Sequence, residues 1–257
     1  MNSYFYAVFL PLHLFMALTI LNLRSISPIL VLIFWILLSG YGVGVTLHRL
    51  LSHRAFETDP WLKKALSLLS CYCVQGSPLF WVNVHRGYHH KYSDGEKDLH
   101  TPNKGKWWAY WLWACRVDPY QLSYKSVPDL LRSRFQIFLS AYYFPIVWLG
   151  WILAWLIFPT AFYSLILAQV LTLHLEFCVN LFCHSKLLPW GYRNFDTADQ
   201  SRNYWLLGIS CWGIGFHNNH HARPKECSFA YHKHEYDPTM LLIPLVRRTP
   251  IKKEVLK

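Results

Sequence analysis

The sequence predicts an all-α integral membrane protein: four transmembrane helices, paired as two hairpins, under a cytosolic helical cap that holds a histidine-rich metal site. Three observations predict it. Of 257 residues, 53% are hydrophobic and 18% aromatic, and only 15% are charged, well below the roughly 25% of soluble domains. Two pairs of apolar runs, each run long enough for a hydrocarbon core of about 30 Å, flank a long polar excursion. Eight of the fourteen histidines fall in three short clusters, all at the same side of the apolar runs.

Tyr4 to Leu23 is apolar except for His13, Thr19 and Asn22, and at about 1.5 Å per residue it spans the core. After a short turn, 29–47 forms the second span, with Gly40, Gly42 and Gly44 near its end, where small residues let helices approach closely. The excursion, 48–137, is the first part of the cap. Within it Trp61 to Ser70, carrying Lys63 and Lys64, and Trp107 to Trp113 are expected to lie along the interface. Spans 138–158 and 161–179 make the second hairpin, joined at Pro159-Thr160, and 180–257 completes the cap. The short apolar runs Tyr204 to Phe216 and Met240 to Val246 are also expected at the interface. The chain reads as one domain, 1–257, without repeats or low-complexity linkers. It starts with neither a basic n-region nor a small-residue cleavage site, so the first span is expected to be retained.

Net charge is +11. The excursion holds 13 lysines and arginines and the tail 11, whereas the two short turns hold only Arg24. By the positive-inside rule, excursion, tail and both termini face the cytoplasm, and every histidine cluster converges on one membrane face. Charge is the sole support for nucleic-acid binding; basic residues scattered without a motif suit a face apposed to anionic lipid. Seven cysteines without a CxxC give no disulfide framework or zinc ribbon. A histidine-rich haem or metal transporter would need facing histidines at mid-membrane depth, and only His13 and His174 lie well inside spans.

His217, His220 and His221 stand at i, i+3 and i+4, within one helical turn. His85, His89 and His90 form a second cluster, His48 and His53 a third, and His184 brings the set to nine. Imidazole suits zinc, copper, iron and nickel. Zinc usually takes four ligands, so nine imidazoles fit two metals better. Neutral ligands leave iron strongly electrophilic, which suits oxygen activation against an alkyl C–H bond more than hydrolysis.

These pieces occur in a recognisable order. His48-x4-His53 is followed by the His85 cluster with Lys91-Tyr92-Ser93, then by Asn180-x3-His184. Gly191-Tyr192-Arg193, Arg202-Asn203 and Trp212-Gly213-x-Gly215-Phe216-His217-Asn218-Asn219-His220-His221 complete the series. Across nearly all of residues 28–245 the chain resembles the membrane fatty-acyl desaturases of the stearoyl-CoA desaturase type. The resemblance implies a mushroom-like fold and a non-haem di-iron site held by the nine histidines, with Asn180 holding iron through a water. It implies O2-dependent insertion of a C=C bond into a long-chain acyl substrate by hydrogen abstraction. Electrons would come from a separate ferredoxin or cytochrome-b-type protein, as no haem or flavin domain fits in the chain. A hydroxylase or acetylenase using the same centre is the alternative, because those outcomes diverge only after the first abstraction. Gln75 and Trp81 match positions that line the bend of the acyl tunnel.

The chain also departs from the family pattern. Its second cluster reads HxxxHH where close relatives read HxxHH, and on a regular helix one more residue rotates a ligand by about 100°. Ile214 replaces a usual glutamate, and Asn83-Val84 replaces an arginine–aspartate pair that contacts coenzyme A in eukaryotic relatives. The carrier (coenzyme A, acyl carrier protein or glycerolipid) therefore stays open. Glu176-Phe177 stands where a threonine–tryptophan pair lines the tunnel, and Glu176 lies in an apolar run, where a carboxylate is expensive and usually functional or paired.

Overall fold

The computed structural model describes residues 1–248, so the end of the expected cap, 249–257, lies outside the described residues. Those residues are helical, with two isolated antiparallel bridges, Tyr192 with Asn203 and Asn203 with Phe216. Helix α1 is Phe5–Leu21 and α2 is Pro28–His53. Ser27 caps α2 by accepting the Leu30 N–H at 3.4 Å, and Pro28 occupies the first turn, where a missing N–H costs nothing. From Ile36 to His53 the helix is wound as a π-helix. The glycines there permit close packing: a Cβ on Gly42 would lie 2.2 Å from Cys73 Sγ. Helix α3, Pro60–Cys71, packs along this end of α2. Next come α4, 78–92, and α5, 108–116.

The third apolar run differs from the expected straight span. It is two helices, α6 (Arg134–Ala141) and α7 (Tyr143–Ile157), bent by 69° at Tyr142. Pro145 explains the break: it lacks an N–H and its ring would clash with the Ala141 carbonyl of a continuous helix. Phe158 is extended and Pro159 opens α8, Pro159–Phe182, which starts before 161 and runs past 179. Two helices, α2 and α8, are long and apolar enough to cross a membrane, and the bent α6–α7 pair makes a third if it is one span. Helix α1 is apolar but shorter. Leu14 and Leu18 of α1, Ile29 and Leu32 of α2, and Ile152 and Leu156 of α7 are exposed, an apolar belt suited to lipid. The protein is thus an integral membrane protein by its apolar helices.

Several polar groups between these helices pair with one another. Trp151 donates to Gln169 Oε1 at 2.8 Å, and Gln169 Nε2 donates to the Tyr72 carbonyl at 2.9 Å. His13 and His174 face each other with Nε2 atoms 2.9 Å apart, while Tyr110 Oη lies 2.9 Å from His174 Nδ1. Helices α9 (Trp205–Ser210), α10 (His217–Ala222) and α11 (Thr239–Val246) follow α8. The segment 227–237 is locked onto α2 by Arg49, fully buried, which donates to Asp237 and the Cys227 carbonyl at 2.7 Å each and to the Gly44 carbonyl at 2.9 Å. Gly213 lies at φ +86°, with room for a Cβ taken by the Asp237 carboxylate.

Candidate metal centre

His48 and His53 are five residues apart, which on an α-helix would leave them about 140° out of register. The π-winding of α2, with its i→i+5 bonding, stacks such residues, and their ring centroids lie 5.2 Å apart. The same device operates in α4. Val84–His89 is a π-turn closed by the His90 N–H on the His85 carbonyl. The rotation expected from the HxxxHH spacing therefore does not occur: the wide turn absorbs the additional residue, and the His85 and His90 rings lie 4.5 Å apart. His217, His220 and His221 project from α10, a turn and a half of helix set by the tight Trp212-Gly213-x-Gly215 corner.

The structure brings the expected histidines together in two groups with ligand atoms within 4.8 Å of one another. One is His48, His53, His85 and His220; the other is His89, His184, His217 and His221. His90 stands between them, its Nε2 2.8 Å from that of His220 and its ring stacked on His221. Asn180, in the last turn of α8 and four residues before His184, belongs to neither group and lines the cavity beneath.

The second group has its protons fixed. Nδ1 of His89 lies 3.1 Å from Asp98, that of His184 3.1 Å from Asp94, that of His221 2.6 Å from Asp199 and that of His217 3.0 Å from the Ile214 carbonyl. Each acceptor calls for a proton on Nδ1 and leaves a lone pair on Nε2. Yet the Nε2 atoms of His89 and His217 each lie 3.1 Å from that of His221, and the buried His184 Nε2 has no partner among the described residues. Lone pairs at this spacing repel unless a cation sits among them. In the first group both nitrogens of buried His48 lack partners, and the Nε2 atoms of His53 and His85 are 2.8 Å apart. The donor set fits two borderline transition-metal ions.

Sequence reasoning missed the carboxylates. Asp94 and Asp98 come from the polar turn after α4, and Asp199 from the loop before α9. Burial pushes Asp98 up, but the imidazoles of His89 and His100 outweigh it and hold the carboxyl far below its usual range. Burial likewise raises Asp199, and its bonds from His221, Ser201 and Thr197 overcome this. Burial lowers His184, and the Asp94 bond more than compensates. Burial together with neighbouring imidazoles drives His217 and His220 well below the ordinary value, and burial takes His221 down to about 4. Neutral imidazoles are the metal-binding form. Also missed was His100, buried 4.4 Å ring to ring from His89. The Asp98-x-His100 spacing was the available signal. Asp199→Asn should weaken metal retention by about 10–100-fold, read by chelator competition on the purified protein, because it unfixes the His221 tautomer.

The asparagines of the last motif are scaffold. Asn218 Oδ1 accepts the backbone N–H groups of Asn194 and Phe195 at 2.8 Å each, and Asn219 donates to Glu235 and the Phe229 carbonyl at 2.9 Å each. Arg193 donates to the carbonyls of Thr197, Asp199 and Ser201, shaping the loop that presents Asp199. Burial raises Glu235, but donors from Tyr192, His232, Tyr231 and Asn194 hold it below its usual value. A folded value below the unfolded one gives stability that is present above the unfolded value and lost as pH falls through the folded one. The melting temperature should therefore drop on acidification below about pH 4, and Glu235→Gln, less stable at neutral pH, should show a shallower fall.

Beneath the histidines lies a cavity of about 460 Å³. All four expected tunnel residues, Gln75, Trp81, Glu176 and Phe177, line it, together with His48, His85, His89 and His217. Trp81 stacks on His85 and donates to Gln75 Oε1 at 2.9 Å. Leu79, Phe80, Phe144 and Leu173 make the rest of the wall largely apolar.

Comparison with known proteins agrees with this arrangement. The fatty acid desaturase family matches residues 27–239. The chain is 35% identical over 240 residues to the sn-2 palmitoyl-lipid 9-desaturase of Nostoc sp. (strain 36), covering 90% of this chain and 81% of that protein. It is 37% identical over 194 residues to Delta-9 acyl-lipid desaturase 2 of Arabidopsis thaliana, covering 72% of this chain and 60% of that protein. It is 32% identical over 224 residues to the Acyl-CoA C20 Delta5-desaturase of Anemone leveillei, covering 83% and 70%. A match across most of the chain, joined to clustered imidazoles above an apolar cavity, places this protein in the membrane fatty acid desaturase family.

Proposed function

We propose that the protein is an O2-dependent desaturase of long-chain fatty acyl groups, with two irons held by His48, His53, His85, His89, His90, His184, His217, His220 and His221, and with Asn180 acting through a water. The observation that carries this reading is the convergence of Nε2 lone pairs at the roof of an apolar cavity. Bound iron would supply the oxidising power for an unactivated C–H bond, with O2 and two external electrons. The chain's own residues do the rest. Asp94, Asp98 and Asp199 hold Nδ1 protons and so aim Nε2 inward. Gln75, Trp81, Glu176 and Phe177 shape the tunnel wall. Apolar lining favours an alkyl chain by about 0.8 kcal/mol per buried CH2 and keeps water away.

A ferredoxin or cytochrome-b-type protein is the proposed electron donor. An acyl lipid is the proposed carrier, in line with the names of two relatives, since Asn83 is fully buried and offers no surface group to a coenzyme A. Expression in a desaturase-deficient host should yield mono-unsaturated acyl chains in membrane lipids. Hydroxylated or acetylenic products would replace this reading with the alternative chemistry, and no new product would remove it.

We propose further that α1, with α2, the bent α6–α7 pair and α8, makes four spans of one domain, with the histidine-bearing segments and both termini in the cytoplasm; the excess of lysine and arginine in 48–137 and 180–257 supports this reading. Reporters fused at either end should both behave as cytoplasmic; a reporter after Lys257 on the opposite side would overturn the four-span arrangement.

A further inference from the structure

The wall of the acyl cavity carries polar groups that an alkyl chain cannot use. Glu176 is only 8% exposed, lines the cavity, and its Oε1 is buried without a hydrogen-bond partner among the described residues. Gln75 spends Oε1 on the Trp81 indole and leaves Nε2 buried and equally unpartnered. Arg49 does not serve them: its donors go to Asp237 and to the carbonyls of Cys227 and Gly44. A buried polar group left unbonded costs about 1–3 kcal/mol, and a saturated hydrocarbon leaves both costs standing. One orphan is a carboxyl oxygen, the other an amide N–H. The group that answers both from a single atom, donating one bond and accepting another, is a hydroxyl.

We infer that the cavity is built for an acyl chain carrying a hydroxyl group, which donates to Glu176 and accepts from Gln75. The inference rests on the desaturase reading and deepens it by naming the substrate class, a hydroxylated long-chain acyl group. Glu176 precedes Asn180 by one turn on α8, so the Glu176 backbone lies about 6 Å along the helix axis from the level of Asn180, and the hydroxyl bound to Glu176 is offset to the same side. That offset fixes where on the chain the hydroxyl is tolerated, because the reacting carbons must stay beneath the histidines.

The test uses the iron-loaded protein in lipid nanodiscs with a reductant. Palmitoyl and stearoyl lipids compete with counterparts hydroxylated at successive mid-chain positions. At least one hydroxylated isomer should be consumed with a kcat/KM about tenfold or more above its plain counterpart, since a site built for a hydroxyl rejects the chain lacking it. In Glu176→Leu and Gln75→Leu that ratio should fall to about one or below. Equilibrium binding of radiolabelled chains to the metal-free protein should show a preference for the same isomer without turnover. Glu176→Leu should also raise the melting temperature, as the unbonded carboxyl is gone, so lost preference is not confused with lost folding. Equal or poorer use of every hydroxylated isomer by the wild type, with plain chains desaturated, overturns the inference and leaves the desaturase reading standing; water then fills the subsite. Preferential binding of a hydroxylated chain without desaturation of any chain keeps the subsite and sinks the desaturase reading instead.

Discussion

His217→Ala or His220→Ala should abolish acyl desaturation and strip the protein of iron, from about two per chain in the wild type, while membrane insertion stays intact. Each residue belongs to a different histidine group, so either loss removes an inward-facing imidazole from a set of four. Around His217 the remaining Nε2 atoms cannot close in to replace it, because His89 and His184 are tied by Nδ1 to Asp98 and Asp94 of the turn after α4, and His221 to Asp199 of the loop before α9. Insertion is governed by apolar helices that do not carry these two residues. Iron content by elemental analysis, desaturated lipid by mass spectrometry and membrane fractionation together decide the matter. Activity with full iron in His220→Ala would remove that residue from the ligand set.

Asp237→Asn should destabilise the protein by about 3–5 kcal/mol, because it leaves the Arg49 guanidinium charged and unpaired in a site from which water is excluded. Both side chains are essentially inaccessible, and the pair is 2.7 Å long. Asp237 also accepts the N–H groups of Phe229 and Thr239 at 2.8 and 3.0 Å, so the loop from 227 to 239 loosens as well. The damage should reach the metal centre: Arg49 lies 3.8 Å from the Phe229 ring, and that ring packs against His48 and His220. Adding Arg49→Met should recover part of the loss, since the stranded charge then disappears. Thermal denaturation of the three variants in detergent reads this. A double variant weaker than the wild type by the sum of the Asp237→Asn and Arg49→Met losses would show that the two side chains act independently.

Much of the centre was legible because histidine is a loud signal: eight imidazoles in three short clusters, with His184 beside them, point to metal whatever the backbone does between them. Helix positions were legible for the same reason, long apolar runs being hard to mistake. The sequence was silent where a residue's meaning depends on distant chain. Asp94 and Asp199 look like ordinary turn residues until folding sets them behind His184 and His221. Arg49 reads as one more basic residue beside a histidine, and only the return of the chain at Asp237 makes it a buried lock. Winding was the other blind spot. Propensity does not distinguish a π-turn from an α-turn, so HxxxHH reads as a misplaced histidine when it is a wider coil that returns His85 to the histidine group. The bend at Tyr142 was signalled by Pro145 and passed over because the hydropathy around it is continuous.

The wide turn at Val84–His89 also bears on how such a centre changes over time. A coil that takes up a surplus residue sideways, and returns to normal pitch afterwards, uncouples the length of a segment from the placement of its ends. A surplus residue there becomes part of one wide helical turn, so the histidines at its two ends still face each other. Column-by-column comparison of such segments then pairs residues that are not spatial equivalents, and kinship is better judged by which atoms meet than by how many letters separate them.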